Sequence, residues 1–276
     1  MLCSGKNRKN MTIKASNIAR EPLILAIETS SRTGSVAIAM GDKMLAETAF
    51  SGPARHSTEL FPSIQQLLDQ FNRKGHEINQ IYISIGPGSF TGLRIATTLA
   101  KIMHLANAAK IVTVDTLDCI AANVTDLSIF STGRPMADTR RSILVAPVLD
   151  AKRNQFFVAV YELNGYANKK PQATRHGTWK KILPDTMMTA EQFIEMFATG
   201  NHNIWLLGDG LLYHKDKFKS ENIKFLDQKY WSPQADKVHL LGWQKALAGQ
   251  FADPVTLVPN YLRLPEPEEK LKQQTP

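Results

Sequence analysis

IGPGSFTGLR, residues 85–94, follows a short apolar run and precedes a stretch of helical spacing, so it reads as a strand-to-helix turn. Gly86, Gly88 and Gly92 let the backbone bend with positive φ and approach closely whatever lies opposite. The N–H groups of the following helix point into such a turn. A phosphate would be well placed there, with Ser89, Thr91 and Arg94 to assist. The same glycines would equally serve tight packing of a helix on a sheet. The stretch is not a Walker A loop, because Gly-Lys-Ser/Thr is missing, and its G-x-G-x-x-x-G spacing is not the Rossmann fingerprint. A helix terminus supplies about 0.3–1 kcal/mol, up to about 2 when sheltered, whereas millimolar binding needs about 4. A nucleotide therefore requires a second donor cluster. Thr29, Ser30, Ser31 and Gly34 form one candidate, with ordinary turn chemistry as the alternative.

Working outward, residues 23–29 (LILAIET), 34–40 (GSVAIAM) and 43–50 (KMLAETAF) are strand-like runs joined by short links. Leu60, Ile64, Leu67, Leu68 and Phe71 then recur as one helical stripe. Ser57 or Thr58 is expected to cap this helix, Pro62 to fall in its first turn and Gly75 to end it. A strand at 81–85 leads into the glycine-rich turn, a helix rich in small residues spans about 93–108, and a strand follows at 111–114. The order β-β-β-α-β-α-β predicts a mixed sheet with packed helices, the pattern of an RNase H-like unit. A second unit begins after the polar stretch 125–141. Residues 143–149 and 156–161 read as paired strands joined by DAKRNQ, and 169–181 as a basic, turn-rich segment ending in a strand. Thr189 caps a helix to about 198, residues 204–207 form a strand ending in Gly208-Asp209-Gly210, and an amphipathic helix spans about 235–249. The fold class is α/β with two such subdomains. Their expected bounds are 22–118 and 119–264, flanked by a disordered basic tail (1–21) and a polar tail (265–276).

Composition narrows the function. With 276 residues, 43% of them hydrophobic, the chain can bury a real core. No apolar run approaches the ~20 residues of a membrane helix. Cys3 and Cys119 make no disulfide framework, so a reducing cytoplasm is the natural compartment. Residues 1–20 hold five of the eight net positive charges and lack an apolar signal region. They read as a basic tail, or as residues preceding a true start at Met11. The remaining body is only mildly basic, which does not in itself argue for nucleic-acid binding.

Catalytic constellations are sparse. The seven histidines, His56, His76, His104, His176, His202, His214 and His239, include no pair three to five residues apart. A metal site on one helix is therefore excluded. Ser89 does not sit in a G-x-S-x-G elbow. Asp150 and Asp209 stand at strand ends, where turn and capping roles compete with metal or sugar binding. Lys169, Lys170, Arg175, His176, Lys180 and Lys181 could touch RNA phosphates or form a solvated loop.

Several stretches together resemble the TsaB (YeaZ) family, actin-like (ASKHA) relatives of TsaD. They are LAIETSS (25–31) with GSVA (34–37), RHSTELFP (55–62), GPGSFTGLR (86–94), VLDAKR (148–153), LGDG (207–210) and PNYLR (259–263). The resemblance implies a non-catalytic scaffold or activator. It would bind TsaD, with TsaE, in making threonylcarbamoyladenosine at adenosine 37 of ANN-decoding tRNAs, and would meet tRNA only through that complex. TsaD relatives hold a metal with H-x-x-x-H. Here the matching helix carries His56 and Leu60, so no metal and no catalytic residue is expected. The family's partner face is built from the first two helices. That implies an interface of His56, Leu60, Ile64, Leu67, Leu68, Leu93, Ala96 and Ala100, the stripe dividing between core and partner. A charge at Leu67 or bulk at Ala100 would then block pairing in a folded monomer. No cofactor is required, and weak ADP or ATP binding near that face is left open, as is self-pairing of the isolated chain. Glu28 stands where such proteins often carry Asp, and 125–141 and 169–181 exceed the family's minimum. The rivals are a catalytic protein of the same fold, either an M22-type metalloprotein or a small-molecule kinase, and a stand-alone RNA-binding protein.

Overall fold

The computed structural model describes residues 21–51, 56–124, 143–164, 178–199 and 203–263. Residues 1–20 and 265–276 of the tails, the whole polar stretch 125–141 and residues 169–177 of the basic stretch lie outside the described residues. Among the described residues, ten strands form two sheets of five. In the first half these are β1 (Leu23–Glu28), β2 (Thr33–Met40), β3 (Lys43–Ser51), β4 (Gln80–Gly86) and β5 (Lys110–Asp115), ordered β3-β2-β1-β4-β5. In the second they are β6 (Ile143–Asp150), β7 (Phe156–Asn164), β8 (Thr178–Met188), β9 (Ile204–Leu207) and β10 (Ile223–Phe225), ordered β10-β9-β6-β7-β8. Each half has an antiparallel meander of three strands. A fourth and fifth strand add parallel to the first strand of that meander. The two halves thus share one topology, the duplicated RNase H-like arrangement of an actin-like fold.

The helices are α1 (His56–Gln70), α2 (Phe90–Asn107), α3 (Thr116–Ala121), α4 (Ala190–Phe197), α5 (Leu211–His214) and α6 (Ala235–Leu247). α1 starts earlier than its apolar stripe, so Pro62 falls in the second turn, where it withholds one backbone N–H from the helix ladder. Gly75 does not end it. Termination comes at Asn72, whose φ of 50° lies in the left-handed region, with Arg73 N–H donating to Leu68 O at 2.8 Å. Gly75 instead opens a short 3-10 turn ahead of β4. The cap expected at Thr189 is present, and the structure extends it to a capping box in which Thr189 and Gln192 exchange side-chain and backbone bonds.

β1 is buried along its whole length, which explains its unbroken apolar run. Leu23, Leu25 and Ile27 face α1 and α2, while Ile24 and Ala26 face the opposite layer. That layer is α6, whose Ala235 and Val238 pack with Tyr82, Val112 and Val114. Gly242 permits the approach: a Cβ there would lie 2.5 Å from the Tyr82 ring. Chain order groups this helix with the second subdomain. Its contacts put it on the first sheet, where it covers β1, β2, β4 and β5 beside Cys119 of α3.

The second core centres on Phe156, Phe193 and Phe218, with ring centroids 4.9 and 5.9 Å apart for the pairs made by Phe218. Two features bind the halves. α3 sends Leu117 and Ile120 into the second core. The segment 257–263 buries Leu257 in the first core and packs Leu262 on the second. An ionic cluster adds to this joint. Lys181 on β8 lies 2.7 Å from Asp118 and 2.6 Å from Asp185, and the Tyr161 hydroxyl donates to Asp118 at 2.5 Å.

Candidate functional site: two facing turns and an outer helix groove

The two candidate phosphate loops touch each other. Ser89 N–H donates to Ser30 O at 2.7 Å, and Thr29 Oγ1 donates to Gly92 O at 2.8 Å. A Cβ on Gly92 would lie 1.7 Å from Thr29 O, and one on Gly88 2.3 Å from Ser30 O. These glycines therefore allow backbone-to-backbone packing between the start of α2 and the β1–β2 turn. Ser89 caps α2, its Oγ accepting from Gly92 N–H. Thr91 stays exposed in the first turn, and Gly34 is buried on β2 opposite Phe50. Arg94 turns away from the loop to Tyr261, donating from Nε at 3.1 Å, while Phe90 stacks on the Tyr261 ring at 4.6 Å. A phosphate between the loops would have to part the Ser30–Ser89 bond.

The matching turn of the second half packs in the same manner. A Cβ on Gly208 would meet Val148 O at 2.2 Å, and one on Gly210 would meet Asp150 N at 2.9 Å. Across the rim, Asp209 accepts from the Arg32 backbone N–H and feels its charge. Arg32 Nη1 also donates to the Tyr213 hydroxyl at 2.8 Å and lies over its ring. Burial pushes the Asp209 carboxyl up to about 6, against the opposing pull of Arg32. Glu28 lies nearby, fully buried. Burial raises its pKa, and the hydrogen bonds from Ser30 N–H and Oγ to its Oε1 only partly offset this. Its Oε2 has no hydrogen-bond partner among the described residues. Asp150 accepts from Lys152 N–H and Nζ at 2.7 and 2.8 Å, a turn-bracing role. Among the described residues no group of three or more His, Cys, Asp or Glu side chains could hold a metal. No helix among them is long and apolar enough to cross a membrane.

The helical face requires a correction. Leu60, Ile64, Leu67 and Leu68 are all buried in the first core, as are Ala96 and Ala100, and Leu93 is 1% exposed beside Gly86. Most of the stripe covers the sheet, while Ile64 and Leu68 also reach the floor of an open groove between the two helices. Leu67→Glu or Ala100→Trp would therefore disrupt the monomer itself. The His56 side chain lies outside the described residues. The outward surface is made by residues off the stripe: Phe61 is 56% exposed, Ile102 52% and Leu105 84%. A groove of about 440 Å³ runs between α1 and α2, with Phe61, Ile64, Gln65, Leu68, Leu99 and Met103 among its lining residues. Phe61, directly after Leu60, is legible in the sequence as an aromatic outside the stripe. Nothing in the spacing marks Ile102, Leu105 or the Arg94–Tyr261 contact.

Known proteins resemble this chain in sequence and fold. A model of the family described as "TsaD: tRNA N6-adenosine threonylcarbamoyltransferase" matches residues 51–268. The chain is 28% identical over 251 residues to the Bacillus subtilis tRNA threonylcarbamoyladenosine biosynthesis protein TsaB, covering 90% of this chain and 96% of that one. It is 25% identical to the Escherichia coli TsaB over 239 residues, 85% of this chain and 94% of the relative. The solved structure of YeaZ from Pseudomonas aeruginosa superposes with a TM-score of 0.68 at 20% identity, over 87% of this chain and all of that one.

Proposed function

Since this chain belongs to the TsaD family, within its TsaB/YeaZ branch, we propose that it serves as a non-catalytic partner of a TsaD-type protein in making threonylcarbamoyladenosine on tRNA. TsaE would join the assembly, and tRNA would be engaged through it. The observation that carries the reading is the exposed apolar groove between α1 and α2. Exposed large apolar residues clustered on paired helices are unfavourable in water and mark an interaction surface. A stable interface buries about 1,600 Å² in total, so Phe61 and Ile102 would form its centre and not its whole extent. The same face would serve self-pairing of the isolated chain.

Leu60 supports the non-catalytic part. It stands where the metal motif of TsaD relatives has its second histidine, and it is fully buried as core packing. The reading needs no cofactor. Weak ADP or ATP binding near the helix face would be an added property, measurable by calorimetry with and without TsaD.

The test is co-purification with TsaD and TsaE, followed by nucleoside mass spectrometry of tRNA from cells depleted of this chain. Phe61→Asp with Ile102→Asp should leave a folded monomer that no longer retains TsaD, and threonylcarbamoyladenosine should fall. Full retention by the double variant would reject the interface. Modification of tRNA by this chain alone would reject the non-catalytic role.

A further inference from the structure

The groove between α1 and α2 lies over β1. Its floor includes Leu25, and one end of it is formed by Gly75 and Ile78. At that end the first residue of β1 is tied to the residue after Ile78. Leu23 N–H donates to Asn79 Oδ1 at 2.9 Å, and Asn79 N–H donates to Leu23 O at 2.9 Å. β1 therefore enters the sheet at the mouth of the groove. The twenty residues ahead of Glu21 join the fold at this point.

The composition of those residues changes along their length. Residues 1–10 hold Lys6, Arg8 and Lys9, whereas 11–19 (MTIKASNIA) hold one charge, Lys14, and the apolar side chains Met11, Ile13 and Ile18. Along α1 the groove runs from Phe61 to Leu68, a length of about 10 Å at 1.5 Å per residue. Nine extended residues span up to about 30 Å, so 11–19 cover that length with slack for the chain to double back at Arg20. A cleft of about 440 Å³ admits the side chains of one segment and not a folded domain.

Charge does not choose the occupant. Around the mouth Arg73, Lys74 and His76 stand against Asp69 and Glu77, with Arg73 and Glu77 paired at 3.3 Å. On the helices, Glu59 lies toward the far end, and Lys101 acts on Asp253. Tethering chooses it. A segment joined to the fold by a few residues is present at millimolar effective concentration, which a second copy or a separate protein in solution does not approach. A groove affinity of only about 0.1 mM then gives nine-tenths occupancy.

We propose that residues 11–19 of the chain's own N-terminal segment seat in the α1/α2 groove, with Ile13 and Ile18 on its apolar floor. The seat stands on the groove and the root of the segment alone. Its consequence rests on the assignment of this face to TsaD: the segment masks the face, and TsaD binds when the segment leaves.

The first test cross-links the full chain carrying Cys3→Ser, Asn17→Cys and Gln65→Cys with a short bis-maleimide, Cys119 being buried. The control carries Met44→Cys in place of Gln65→Cys. Met44 is exposed beside the β2–β3 turn, whose Gly41 bonds to Pro22, so it too is near the root of the segment. Cross-linking within one chain should run about tenfold faster to position 65 than to position 44. Ile13→Asp/Ile18→Asp should remove that preference. Equal rates at the two positions would overturn the proposal, as would a preference that survives both aspartates. Cross-links between chains would put a second copy in the groove and overturn it as well.

The second test measures the affinity of the otherwise unaltered full chain for TsaD. Ile13→Asp/Ile18→Asp should bind about tenfold more tightly, because nine-tenths occupancy multiplies the apparent dissociation constant by about ten. Weaker binding would make the segment part of the TsaD contact and overturn the masking. Preferential cross-linking with unchanged or absent TsaD binding would uphold the seat and reject TsaD as the partner of this face, so the two readings fail separately.

Discussion

The two halves share a strand order and differ in the helix that comes after the fourth strand. In the first, the Gly86–Gly88 turn leads into α2, a helix of 18 residues that shows Ile102 and Leu105 to solvent. In the second, the Gly208–Gly210 turn leads into α5, a helix of four residues, and the apolar mass goes inward to Phe156, Phe193 and Phe218. The sheets set the architecture of both halves. Helix length, and where the remaining apolar residues point, decide which half offers a surface. One half has an apolar groove, and the other has a braced turn at the rim.

The largest expected effect probes the inward half. Phe218→Ala removes the ring shared by two aromatic contacts and should cost about 3–5 kcal/mol in chemical denaturation, with TsaD retention unchanged at temperatures where the chain stays folded. The reverse pattern, little cost and no pairing, would erase the contrast between the halves.

Next are the turn glycines. Gly92→Ala drives a Cβ toward Thr29 O, and Gly208→Ala toward Val148 O, both onto backbone that cannot swing aside. Each should destabilise by roughly 2–3 kcal/mol. A much smaller penalty at Gly208 would mean that the two turns are equivalent in topology only.

A third prediction compares the acids at the facing turns. Asp209 has a folded-state pKa of about 6, above its ordinary 3.8, so the folded state binds its proton more tightly than the unfolded chain does. The advantage it gives is fully present below pH 4 and is lost as pH rises through about 6. Asp209→Asn should therefore gain stability relative to the unaltered protein between pH 4 and pH 7, by about 2 kcal/mol, the pull of Arg32 being already contained in that pKa. Paired urea titrations at the two pH values measure this. A relative loss toward pH 7 would show that Arg32 outweighs burial.

The smallest effect concerns the end of the long helix. Ala108 caps α2 with φ of 53°. Ala108→Gly should stabilise by about 0.5–1 kcal/mol, seen as a slight rise in melting temperature with pairing unaffected.

Much of this architecture is legible from local pattern. Strand runs bounded by turn residues, the stripe of α1 and the helix cap at Thr189 all follow from spacing, because each depends on neighbours within a few residues. The features that escape depend on distant partners. Nothing local to residues 235–247 says that they cross back to the first sheet; that follows from the unfilled face beside Ile24 and Tyr82. The family resemblance divides the stripe from Leu60 to Leu68 between core and partner; all four side chains bury in the first core, and Ile64 and Leu68 also line the groove between α1 and α2. The glycines at 88 and 92 are readable as special. The choice between ligand and backbone contact needs the position of Thr29 and Ser30, some sixty residues earlier. At the turn joining β6 to β7 only Asn154 hints at left-handed backbone, and Lys152 and Arg153, which share it, give no sign of it.

The return of α6 to the first sheet has a bearing on biosynthesis. One face of β1, β2, β4 and β5 is sealed by residues 235–247, and the segment that pins both cores comes later still, at Leu257 and Leu262. A ribosome must therefore thread nearly the entire second half before the first can close. During that interval the nascent chain carries an open sheet face of Ile24, Ala37 and Val112, a substrate for chaperones and a liability when translation stalls late.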